Sequence, residues 1–129
     1  IKRIAMRKII STNNAPKAVG PYSQAIEANG TLYVSGQLPV NPTDGSVPES
    51  IEAQTEQSLK NIGAILTEAG YTYKDVVKST VLLTDMNDFA AMNAVYARFY
   101  TEQMPARVCY QVAKLPMGVK VEIETVAVK

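Results

Sequence analysis

Pro105-Ala106-Arg107-Val108-Cys109-Tyr110-Gln111-Val112 decides how the last third of the chain is read. The proline ends whatever precedes it, and the residues after it alternate. Ala106, Val108, Tyr110 and Val112 take one side of an extended strand, and Arg107, Cys109 and Gln111 take the other. A second strand is expected over Val119–Val128, where Val119, Val121 and Ile123 alternate with Lys120, Glu122 and Glu124. Leu115-Pro116-Met117-Gly118 reads as the turn between the two. If these strands pair, Arg107 and one of the glutamates share a surface. A strand-rooted guanidinium can grip a carboxylate with two parallel hydrogen bonds. Taken alone, the stretch points first to a structural ion pair of Arg107 with Glu122 or Glu124.

Upstream, Asp75–Leu83 reads as a central strand, apolar on both faces near its end. A helix over Asp88–Tyr100 follows, capped by Asp85 or Asn87, with Phe89, Met92, Tyr96 and Phe99 as its buried stripe. A longer helix runs from Ser50 to Ala69. Ser46 or Ser50 caps its start, Gly70 supplies its left-handed exit, and Gly63 inside it implies close packing on a sheet. Before it, Ser23–Ala28 and Thr31–Ser35 form a hairpin around Asn29-Gly30, the pair that tolerates positive φ at both turn centres. Lys8–Thr12 is a short strand, and Lys17–Tyr22 is a loop. Strand, hairpin, helix, strand, helix and two strands make an α+β fold, with a mixed sheet and both helices on one face. The other face is expected to carry Tyr, Arg, Cys, Gln and Glu, a mixture that other subunits would cover.

Composition narrows the chemistry. The 129 residues suit one domain over 1–129, and 47% hydrophobic residues supply a core. A net charge of +1 does not ask for a nucleic-acid partner, which needs a basic face. There is no histidine and one cysteine, so Ser-His and Cys-His pairs, internal disulfides and histidine- or thiolate-built metal sites are excluded. No apolar run reaches membrane-spanning length, and the first residues lack the apolar core of a signal peptide. A cytoplasmic location is the expectation. Met6 is read as the natural start, with residues 1–5 an expression remnant.

Six short motifs then recur in one order. They are Gly20-Pro21-Tyr22-Ser23-Gln24-Ala25, Ser35-Gly36-Gln37-Leu38-Pro39, Asn87-Asp88-Phe89, Pro105-Ala106-Arg107-Val108-Cys109, Leu115-Pro116 and Val121-Glu122-Ile123-Glu124. Together they resemble the RidA/YjgF family of reactive-intermediate (enamine/imine) deaminases, from about Ile9 to Lys129. The resemblance implies a chorismate-mutase-like fold and a homotrimer with its sheets around a central core. It also implies sites between subunits, no cofactor, and hydrolysis of 2-imino acids such as 2-iminobutanoate and 2-iminopropanoate to 2-keto acids and ammonia. By the same resemblance Arg107 binds the substrate carboxylate, Glu122 holds the attacking water, Tyr22 lines the site, and backbone groups at Gly36 and Cys109 contact the ligand. Val108, Gln111 and Met117-Gly118 depart from the family pattern without touching those positions. The alternative is a trimeric ligand-binding or regulatory protein using the same cleft without turnover. An RNA-directed activity has little electrostatic support.

Overall fold

The computed structural model describes residues 6–129, so the reading of residues 1–5 lies outside the described residues. Among the described residues, six strands form one mixed sheet: β1 (Arg7–Ile10), β2 (Ala25–Ala28), β3 (Thr31–Gln37), β4 (Val76–Leu83), β5 (Ala106–Gln111) and β6 (Val121–Val128). Helices α1 (Ile51–Ala69) and α2 (Phe89–Phe99) cover one face. The fold is α+β, as expected. No helix among the described residues is long and apolar enough to cross a membrane.

Local chemistry explains the elements. Asn29 and Gly30 both adopt positive φ, 53° and 79°, which closes the β2–β3 hairpin in two residues. Ser50 caps α1 by accepting from the Ala53 amide, and Gly70 ends it at φ 83°. Asp85 caps a single 3₁₀ turn over Met86–Asp88 rather than α2 itself, which starts at Phe89 without a side-chain cap. The core lies between helices and sheet, where Leu59, Ile62, Ile65 and Met92 meet Leu32, Val81, Leu83, Val121 and Ile123. Each is fully buried and contributes roughly 1.5–3 kcal/mol in transfer terms.

Gly63 does pack closely, but on Tyr73 rather than on the sheet. A Cβ there would lie 2.8 Å from the Tyr73 ring carbon that bears the hydroxyl. Tyr73 also donates to the Leu59 carbonyl at 2.6 Å and meets Phe99 and Tyr100 edge-on.

The strand order is β1-β2-β3-β6-β4-β5, and it corrects the pairing expected from sequence. β5 and β6 are not neighbours: β4 lies between them, parallel to β5 and antiparallel to β6. β4 and β6, eight residues each, are the longest strands, and both lie inside the sheet with partners on both backbone edges. The six-residue β5 stays at the edge. The 3₁₀ turn Pro116–Gly118 delays β6 to Val121.

The register corrects the faces as well. Ser79 sits opposite both Arg107 and Thr125, while Leu82 sits opposite both Tyr110 and Glu122. Ser79 and Leu82 point to opposite sides of β4. Arg107, Cys109 and Gln111 therefore lie on the helix side, and Val108, Tyr110, Glu122 and Glu124 on the open side. The open side also exposes Tyr33.

Candidate functional site

Arg107 sits on the edge strand, on the helix side, against α2. Its guanidinium carbon lies 4.8 Å from the centre of the Tyr96 ring and 5.7 Å from that of Phe89. Among the described residues no carboxylate pairs with it. The ion pair with Glu122 or Glu124 is ruled out by the face each occupies. Arg107 is thus a cation held by aromatic rings, with its N–H donors free of carboxylates.

Glu122 leaves the other face of the sheet, beside Gly36 of β3. A Cβ on Gly36 would lie 2.9 Å from the Glu122 carboxyl carbon and collide with its oxygen Oε2. The glycine is what makes room for the carboxylate. Burial pushes the Glu122 carboxyl above its ordinary range, and the negative charge of Glu124 adds to the shift. A half-buried carboxylate that forms no ion pair among the described residues suits proton transfer or the anchoring of a water.

Tyr22 belongs to the loop before β2, and that loop is pinned. The buried Gln24 amide accepts from the Thr12 N–H at 2.7 Å and donates to the carbonyls of Thr12 and Pro16 at 3.0 and 2.8 Å. Ser35, next to Gly36, donates to the Ser23 carbonyl at 2.6 Å. Tyr22 and Gly36 line a common cavity of about 350 Å³, walled by Val19, Leu38, Val40 and Met117. Asn61 of α1 holds the far wall by donating to the carbonyls of Leu38 (3.1 Å) and Val40 (2.9 Å).

The sequence-predicted residues therefore fall into two groups. Tyr22, Gly36 and Glu122 gather around one end of β3, while Arg107 and Cys109 sit on the helix side of β5. One copy of the chain does not bring Arg107 and Glu122 onto one surface. Cys109 packs against the core, and burial raises its thiol pKa against the opposing pull of Arg107, which does not suit a nucleophile. No group of residues able to hold a metal occurs among the described residues. The partners of Arg107 are not apparent in the sequence. Phe89 and Tyr96 were legible only as a helical core stripe, and their seven-residue spacing on one helix face was the available signal.

Residues 12–129 match the family model described as Endoribonuclease L-PSP. The chain belongs to this family, the YjgF/RidA family. A mouse relative named 2-iminobutanoate/2-iminopropanoate deaminase is 50% identical over 125 residues, covering 96% of this chain and 93% of its own. An Escherichia coli relative of the same name is 50% identical over 127 residues, covering 96% and 99%. The crystal structure of the E. coli YjgF gene product superposes with a TM-score of 0.92 at 49% identity, covering 95% of this chain and 98% of that one. The six-stranded sheet with two helices is thus the YjgF/RidA fold.

Proposed function

We propose that this chain hydrolyses 2-imino acids, such as 2-iminobutanoate and 2-iminopropanoate, to 2-keto acids and ammonia. The observation that carries the reading is the free, ring-held guanidinium of Arg107 on a chain whose relatives at about 50% identity are named for that reaction. Arg107 takes the substrate carboxylate through two N–H donors and so orients the adjacent C=N carbon. That carbon is already electrophilic once the nitrogen is protonated, so no covalent nucleophile is required. Glu122 holds a water and accepts its proton as the oxygen attacks. The protonated Glu122 returns that proton to the amine of the resulting carbinolamine, the C–N bond breaks to release ammonia, and the hydroxyl gives up its proton to Glu122 or water as the C=O bond forms. Tyr22 shields the cavity side, and backbone groups at Gly36 and Cys109 support the ligand.

Because Arg107 and Glu122 leave opposite faces, a ligand touching both is held between copies. A homotrimer with its open sheet faces turned inward meets that requirement. It also covers Tyr33, Val108 and Tyr110, which are 53%, 44% and 50% exposed in a single copy. The edge position of β5 leaves half its backbone groups for a neighbouring copy or ligand.

The test couples this protein to a threonine dehydratase that generates the imine and follows imine loss. Acceleration by wild type is expected, and its loss in Arg107→Ala. Arg107→Lys should also be crippled, since a point charge does not reproduce the planar fork. No acceleration by wild type leaves only the ligand-binding alternative. A monomeric mass at micromolar concentration overturns the intersubunit site.

A further inference from the structure

An Arg107 that binds a substrate carboxylate must also be aimed at it. An arginine side chain has many rotamers, and one on an edge strand would sample most of them. Proteins commonly restrain such a side chain with a carboxylate. Here the restraint is aromatic, and the difference matters. A carboxylate partner would occupy the same N–H donors that a substrate carboxylate needs. A ring face holds the cation through its quadrupole and leaves the donors at the guanidinium edge available.

Tyr96 is built for that role. It is 7% exposed, and its ring packs 4.6 Å from that of Tyr100, which is itself met edge-on by Tyr73. The platform therefore stands on a braced stack between α2 and the sheet. Phe89, seven residues earlier on α2, supplies a second ring to the same guanidinium. The Tyr96 hydroxyl is buried toward Ser79, the register partner of Arg107, yet makes no well-formed hydrogen bond. Burial keeps the phenol protonated, so the ring stays neutral beside the cation.

We infer that Tyr96, with Phe89 as the second ring, is the positioning residue for Arg107: a neutral aromatic platform that fixes the guanidinium's direction while leaving its donors to the substrate carboxylate. The inference rests on the reading of Arg107 as carboxylate anchor, and the controls separate the two.

The probe is 2-oxobutanoate, a 2-keto acid product, titrated calorimetrically into the assembled wild-type protein and into Tyr96→Leu, Tyr96→Phe, Phe89→Leu and Arg107→Ala. KM and kcat are measured on the dehydratase-generated imine. Removing a desolvated ring should weaken 2-oxobutanoate binding by roughly tenfold and raise KM similarly in Tyr96→Leu, with a smaller change in kcat. Phe89→Leu should show a weaker version. Tyr96→Phe keeps the ring and should restore near-wild-type affinity. In NMR, the Arg107 Nε–H resonance should lie upfield in wild type and Tyr96→Phe, from the ring current. Should Tyr96→Leu fail to assemble, Phe89→Leu and the Tyr96→Phe spectrum carry the test. Wild-type affinity in Tyr96→Leu and Phe89→Leu, with binding abolished in Arg107→Ala, overturns the platform and leaves the anchor standing. Equal losses in Tyr96→Phe and Tyr96→Leu also overturn it, by assigning the effect to the hydroxyl. Unchanged binding in Arg107→Ala overturns the anchor itself.

Discussion

Substituting Gly36 by alanine tests the carboxylate half of the site without removing the carboxylate. The added Cβ would lie 2.9 Å from the Glu122 carboxyl carbon and 3.2 Å from its Cγ. Ordinary carbon–carbon contact is about 3.5–4.0 Å, so the carboxylate must recede by about 1 Å. Gly36 is not among the glycines at positive φ, so alanine meets no backbone strain there. The stability cost is that of modest overpacking, at most about 1–3 kcal/mol, because a glutamate side chain can swing aside. The catalytic cost is larger. A misplacement of about 1 Å of a group that positions a reactant can lower a rate by roughly 10²-fold. The dehydratase-coupled assay should show that loss in kcat, with 2-oxobutanoate affinity nearly unchanged because Arg107 is untouched. Glu122→Ala should be as slow, and Gly36→Ala combined with Glu122→Ala should be no slower than Glu122→Ala alone. A wild-type rate in Gly36→Ala refutes the reasoning. A further large loss in the double variant would place the role of Gly36 elsewhere.

Glu122 also gives a pH dependence with a definite sign. Its folded pKa is raised above the ordinary carboxyl value of 4.5, so the folded state holds the proton to higher pH than the unfolded chain does. That contribution to stability is present below the unfolded value and is lost as pH rises through the folded one. Chemical-denaturation midpoints taken from about pH 4 to about pH 7 should show wild type losing stability relative to Glu122→Gln as pH rises, and the opposite trend contradicts the assignment. Gly63→Ala gains about 1 kcal/mol of helix propensity but pushes Tyr73 off its 2.6 Å bond to Leu59 and out of its ring contacts. A net loss of about 1–2 kcal/mol is expected in thermal or urea unfolding, and a more stable variant would mean Tyr73 is not braced as described.

Much of the fold is legible in the sequence. The Asn29-Gly30 turn, the Ser50 cap and the Gly70 exit are local devices, each specified within a few residues, and all appear where the chain predicts them. The motifs from Gly20 to Glu124 identified the family for a similar reason, since their order is a property of the chain alone. The surroundings of Arg107 were not legible. Phe89 and Tyr96 look like any apolar helix stripe until α2 is laid beside the edge strand.

Alternation along β5 and β6 correctly separated the two sets of side chains on each strand, because that period is set by the backbone. It could not say which set faced the helices or which strands were neighbours. Those choices depend on the whole sheet, in which β4 lies between β5 and β6, parallel to the first and antiparallel to the second. The register across β4, with Arg107 opposite Ser79 and Glu122 opposite Leu82, turns the two side chains to opposite faces. The sequence by itself determined the elements, the family and the candidate residues; only the tertiary structure decided which of those residues meet, because strand neighbours are chosen by total pairing and burial rather than by local pattern.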